Sequence, residues 1–143
     1  MGDKFISPPA IVTTGKSSVS LILPFPPSAN HMWRKGCGGR VYLSAEYKAF
    51  KECVVMLWRA FGVRTWNPRA DVEIELLLYP PWRRRWDLDN RIKPTLDALF
   101  NAAIIIDDSQ VVKLTAYKND FEKGRDCAIV HIKRAKKQRK EQK

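Results

Sequence analysis

A chain of 143 residues, 45% hydrophobic and 29% charged, has the length for one domain and the apolar content for one core, which excludes a disordered polyelectrolyte. No apolar run approaches the ~20 residues of a membrane-spanning helix, and the first residues lack the basic and apolar regions of an export signal, so a cytoplasmic protein is expected. The formal charge of +11 points to a polyanionic partner, and three scattered cysteines (Cys37, Cys53, Cys127) point to free thiols in a reducing compartment.

Residues 1–17 contain Pro8-Pro9, Thr13, Thr14, Gly15 and Ser17 without sustained periodicity and read as a flexible leader. Ala10 to Ser17 loosely fits a phosphate loop, but the first glycine is Ala10 and no flanking strand and helix are expected, so the match is set aside. Val19, Leu21 and Leu23 alternate and predict a strand, stopped by Pro24, Pro26 and Pro27, which lack the N–H a ladder needs. Residues 28–39 read as a glycine-rich basic loop carrying Trp33, Arg34 and Lys35, and 40–43 as a short extended piece. His31 and Cys37 lie in the loop, but no second pair completes a zinc site.

Ser44 is a good N-cap for a helix running to about residue 61, with Gly62 as its stop; Tyr47, Phe50, Val54, Leu57 and Phe61 form one apolar face. Residues 71–79 predict a second strand, with Val72, Ile74, Leu76 and Leu78 alternating. Its outward partners change from acidic (Asp71, Glu73, Glu75) to apolar (Leu77, Tyr79), so its far end is expected to be covered on both faces. After Pro80-Pro81 and the run Trp82-Arg83-Arg84-Arg85-Trp86, a helix over 89–101 is predicted, with Leu88, Ile92, Leu96, Leu99 and Ala103 as its buried stripe. Pro94 conflicts with a regular helix and predicts an irregular first turn. Strands over 111–117 and 127–132, joined by a turn near 119–124, complete the order β-α-β-α-β-β: an α/β single domain whose mixed sheet is packed by two main helices. The domain is placed at 18–132, and 133–143 read as a basic tail carrying seven Lys or Arg against one Glu, an electrostatic arm for a phosphate backbone.

The segment Asp87-Leu88-Asp89-Asn90-Arg91-Ile92-Lys93 is the most informative. It places two carboxylates where a helix begins, with its free N–H groups and positive dipole end, and puts Lys93 one turn beyond Asp89. A bland account treats Asp87 and Asp89 as helix caps and Asp107-Asp108 as an acidic turn. Yet acidic groups beside Arg83, Arg84 and Arg85 weaken binding to a polyanion unless a cation such as Mg²⁺ bridges carboxylate and phosphate.

Asp87-Leu88-Asp89-Asn90, then Lys93, Asp97-Ala98-Leu99 and Ile106-Asp107-Asp108-Ser109-Gln110-Val111, together with Leu23 to Asn30 and Arg40 to Ser44, resemble the signature of the RusA family of Holliday junction resolvases over about residues 19–132. Pro94, the long basic tail and the leader before Ser18 depart from that pattern without removing a catalytic match. The resemblance implies a homodimeric, Mg²⁺-dependent endodeoxyribonuclease, often carried by prophages, that makes paired symmetric nicks in four-way DNA junctions during recombination and repair. It implies Asp87, Asp89 and Asp108 as metal-binding catalytic carboxylates and Lys93 as a catalytic lysine, with Asp107 a neighbouring acid. Arg34, Lys35, Arg83, Arg84 and Arg85 are the expected phosphate contacts, and Trp33 or Trp86 could stack at an opened junction. The alternative is a non-catalytic basic nucleic-acid-binding module whose aspartates only cap helices.

Overall fold

The computed structural model describes residues 10–15, 17–62 and 64–136. A five-stranded sheet carries β1 (Ala10–Gly15), β2 (Ser18–Leu23), β5 (Val72–Tyr79), β6 (Val111–Lys118) and β7 (Cys127–Arg134). A separate hairpin of β3 (Trp33–Lys35) and β4 (Val41–Leu43) interrupts the loop after β2. Strand order is β1-β2-β7-β5-β6, so the last strand in sequence lies at the centre. All pairings are antiparallel except that of β5 with β6. A parallel pair needs a long crossover, and α2 (Asp89–Asn101) supplies it. The sheet is therefore mixed and carries two helices, the expected architecture.

The core forms on one face of the sheet. Val19, Leu21 and Leu23 of β2, Val72, Ile74, Leu76 and Leu78 of β5, and Ala128, Val130 and Ile132 of β7 are buried against the helices. Burying each of these Val, Leu or Ile side chains stabilises the fold by about 1.5–3 kcal/mol. Helix α1 (Ala45–Phe61) starts where predicted: the Ser44 hydroxyl accepts from Tyr47 N–H at 3.3 Å. Tyr47, Phe50, Val54 and Leu57 are buried, but Phe61 is 68% exposed because it ends the helix beyond the sheet's cover. Gly62 stops the helix for a reason other than a left-handed turn. Its backbone is extended, and a Cβ there would lie 2.3 Å from the Trp58 carbonyl oxygen.

Four further expectations change. Residues 10–15 of the supposed leader form edge strand β1 on β2; an edge strand is held by one ladder of backbone hydrogen bonds, so its sequence needs no strong alternation. Residues 1–9 lie outside the described residues. The buried stripe of α2 is Pro94, Thr95, Ala98 and Leu99, with Leu88, Ile92 and Leu96 only partly buried, while Ala103 turns out of the helix with φ 59°. Pro94 sits inside a continuous helix rather than after an irregular turn, and the hydroxyl of Thr95 donates to Arg91 O at 2.8 Å beside it. Finally, β7 extends to Arg134, where Arg134 N–H donates to Ser17 O and Ala135 N–H to Asp71 O, both at 2.8 Å. Lys133 and Arg134 thus belong to the sheet, and 137–143 of the tail lie outside the described residues. The three cysteines are free thiols. Among the described residues no helix is long and apolar enough to cross a membrane.

Candidate active site

Helix α2 begins at the end of the loop that leaves β5, and its first turn presents the carboxylates. The residue at its N-cap, Leu88, already has helical φ/ψ and makes no side-chain capping bond. Neither Asp87 nor Asp89 therefore caps the helix, and the bland account fails at this point. Asp89, Lys93 and Asp97 follow at intervals of four and share one face. Lys93 Nζ lies 3.5 Å from Asp97 Oδ2, and the hydroxyl of Tyr47 on α1 donates to the same oxygen at 2.5 Å. Burial first, and then the bond to Asp97, raise the pKa of Tyr47 far above the ordinary phenol value, so it remains a donor.

That shift has a stability consequence. A group whose folded pKa is raised contributes stability that is complete below its unfolded value, about 10, and is lost as pH rises toward the folded one. Thermal stability is expected to fall above about pH 10 more steeply in the native chain than in Tyr47→Phe. Parallel alkaline slopes in calorimetry would contradict it.

Asp108 arrives from the opposite side, on a short 3-10 turn (Asp108–Gln110) that leads into β6. Two neighbours fix this turn. Asp107 Oδ1 accepts from Ser109 N–H at 3.1 Å, closing a capping box with Gln110. The buried Gln110 side chain accepts from Ile106 and Asp107 N–H at 2.8 and 2.7 Å and donates to Pro68 O and Ala70 O at 2.7 and 2.9 Å. Asp107 is thus occupied structurally, and Asp108 lines a cavity of about 240 Å³ with Asp89, Ile92, Lys93, Leu96 and Asp97.

The fold brings Asp89, Lys93 and Asp108 of the predicted residues to one cavity and leaves Asp87 outside it, where its carboxylate accepts from the Asn90 side chain at 3.3 Å. Among the described residues no group of three or more His, Cys, Asp or Glu is arranged to hold a metal ion, so Asp87, Asp89 and Asp108 do not close into one cage. Asp97, Tyr47 and Gln110 received no role from the sequence. The fourfold spacing from Asp89 and Lys93 marks Asp97, and the capping-box spacing from Asp107 marks Gln110; nothing local marks Tyr47, 50 residues away.

The predicted phosphate contacts divide. Arg34 and Lys35 stand exposed on the small hairpin beside Trp33, which is 56% exposed. Arg83 lies 4.7 Å over the Phe121 ring and Arg84 4.2 Å over Trp82, and both, with Arg85, line a second basic cavity that includes Lys118. Trp86 packs edge-on against Phe25 at 5.3 Å beside the core, while Lys118 Nζ donates to its carbonyl oxygen at 2.5 Å.

The family profile "Endodeoxyribonuclease RusA" matches residues 24–141. The chain is 35% identical over 108 residues to the crossover junction endodeoxyribonuclease RusA of Escherichia coli K12, covering 76% of this chain and 88% of that one. It is 36% identical over 104 residues to the corresponding protein of Enterobacteria phage 82, covering 73% and 85%. A solved structure of the periplasmic domain of Helicobacter pylori MotB superposes with TM-score 0.42 at 9% identity over 90% of this chain and 80% of that one, too remote to bear on function. A profile that spans the proline turn, both helices and the aspartate cavity, with relatives matched over most of their length, settles the kinship: the chain belongs to the RusA family of endodeoxyribonucleases.

Proposed function

We propose that this chain is a Mg²⁺-dependent, cytoplasmic endodeoxyribonuclease that resolves four-way DNA junctions by paired nicks in recombination and repair, using Asp89, Asp108 and Lys93. The observation that carries it is the single cavity lined by these three side chains. The donor set fits a hard cation: Asp89 and Asp108 offer only oxygen, and Mg²⁺ is commonly held by one or two carboxylates with water and substrate phosphate completing its shell. A site completed by DNA needs no closed protein cage. Asp87 joins the set on the family pattern, its carboxylate lying at the same helix start.

When bound, the metal supplies an activated water and charge neutralisation at the scissile phosphate. Lys93 places its ammonium in the cavity to stabilise negative charge developing on that phosphate. Asp97 holds Lys93 there by their ion pair, and Tyr47 orients Asp97 from beneath. The arginine run and hairpin cations bind flanking backbone. Symmetric nicking needs two such sites, which a two-fold homodimer supplies. The edge strand β6, with Val112 56% and Leu114 39% exposed, offers an apolar margin for a second copy.

The test is cleavage of a synthetic four-way junction with and without Mg²⁺. Nicking that requires the ion and spares linear duplex is expected. Binding without nicking would return the chain to a non-catalytic module, and equal cutting of linear duplex would remove junction specificity. Lys93→Met is expected to lower turnover about 10²–10³-fold with a smaller change in KM. An unchanged turnover would displace Lys93 from the reaction.

A further inference from the structure

A larger cavity, of about 760 Å³, shares no lining residue with the acidic one. It lies where the proline turn after β2, helix α1, the Trp82–Arg84 loop and α2 meet, and Arg34 of the hairpin reaches its rim. Its size falls in the range of about 300–1,000 Å³ typical of small-ligand pockets. Arg91 projects into it from α2, two residues after Asp89 and therefore about 200° round the helix.

Arg91 is the unexplained group. Its Nη1 donates to Pro26 O at 2.7 Å, and its guanidinium carbon lies 5.0 Å from the Phe25 ring centre and 5.5 Å from that of Trp82. Its Nε is buried and has no hydrogen-bond partner. A buried donor on a cation costs free energy unless something accepts from it. An entering anion would supply the missing acceptor. The Phe25 and Trp82 rings beside Arg91 stand edge-on to each other at 5.6 Å, and Trp82 carries Arg84 on its face.

Guanidinium groups interleaved with aromatic rings are the chemistry that binds an unpaired nucleotide, the base stacking and the phosphate taking the donors. We propose that this cavity receives one nucleotide extruded from a junction strand, its base against Trp82 and Arg84 and its phosphate on Arg34 and Arg91. The inference rests on the reading of four-way DNA as substrate. A strand is favoured over a free nucleotide because the neighbouring cavity, lined by Arg83, Arg84, Arg85 and Lys118, shares Trp82 and Arg84 with this one and extends the basic track. Glu46 also lines the pocket and presents an acceptor for base N–H groups. With Arg91 two residues from Asp89, a nucleotide held here would register the strand relative to the cleavage cavity.

The experiment uses the full chain with Asp89→Asn, expected to suppress cleavage, and four-way junctions carrying 2-aminopurine at one position at a time around the crossover. A fluorescence change of about twofold or more at one position, lost with Trp82→Leu and with Arg91→Met, is expected for a base leaving the stack. Arg34→Ala, on the exposed hairpin, gives an independent loss should the Arg91 variant not fold. A gel shift of each sample reads junction binding separately. Binding with no responsive position, or a response that survives Trp82→Leu, overturns the pocket and leaves the junction reading intact; no binding by either this variant or the native chain in calcium sinks both. Deoxynucleoside monophosphate alone is the second arm. Competition only near millimolar concentration agrees with an extruded nucleotide, whereas tight binding indifferent to junction DNA would assign the pocket to free nucleotides and overturn the proposal.

Discussion

Replacing Asp89 by asparagine is expected to lower junction cleavage by more than about 100-fold, since loss of even an outer-shell partner of a metal costs about 10- to 100-fold. The same variant is expected to bind the junction as tightly as the native chain or more tightly. The substitution keeps shape but removes an anion from a surface that meets phosphate, and a neutral amide is a poor substitute for a carboxylate toward Mg²⁺. Asp89 lines the cavity without capping its helix, so Asp89→Asn should leave the melting temperature nearly unchanged. The comparison is single-turnover cleavage against a gel shift in calcium or without metal. Loss of binding alongside cleavage would mean that Asp89 organises the DNA surface, not the metal. Asp87→Asn tests the division of roles: its carboxylate faces Asn90 outside the cavity, so a smaller loss than at Asp89 is expected.

Gln110→Glu should cause the largest loss of stability near the site. The native amide accepts two backbone N–H bonds and donates to two carbonyls from a nearly buried position, 7% exposed. Glutamate retains the acceptors, loses both donations and sets a charge against Pro68 O and Ala70 O. Leaving buried polar groups unpaired costs about 1–3 kcal/mol each, so roughly 3 kcal/mol or more is expected. For a chain of this length that lowers Tm by about 10 °C. The Pro68 and Ala70 carbonyls oppose the charged form of the introduced carboxyl and so raise its folded pKa. The variant's stability deficit should therefore narrow below about pH 4.3, where the group is protonated in both states, and be complete at neutral pH. Cleavage should fall as well, because the turn that carries Asp108 loses its anchor. A variant with native Tm would show that the Pro68 and Ala70 bonds are dispensable.

Much of the fold can be read from period and punctuation. The twofold alternation of Val72, Ile74, Leu76 and Leu78 reports a strand covered on one face, and Ser44 and Gly62 mark the ends of α1 to the residue. Residues 10–15 escaped because an edge strand is stabilised by backbone pairing with β2, which leaves little trace in side-chain pattern. The shift of the α2 stripe to Pro94, Thr95 and Ala98 follows from the docking of that helix against α1 and the sheet, which helical period alone does not orient.

The candidate site divides along the same line. By itself the sequence determined which residue types could do the chemistry: carboxylates at a helix start, a lysine one turn on and an Asp-Asp-Ser-Gln turn, because these are local patterns with local physics. Only the tertiary structure decided which of them meet. Asp108 and Asp89 share a cavity because the chain reverses after α2 and Gln110 ties that reversal to Pro68 and Ala70, while Asp87 stays outside because it precedes the helix, in the loop, where its carboxylate accepts from the Asn90 side chain. Tyr47 reaches Asp97 only through the packing of α1 on α2, a contact between residues 50 positions apart that no local pattern encodes.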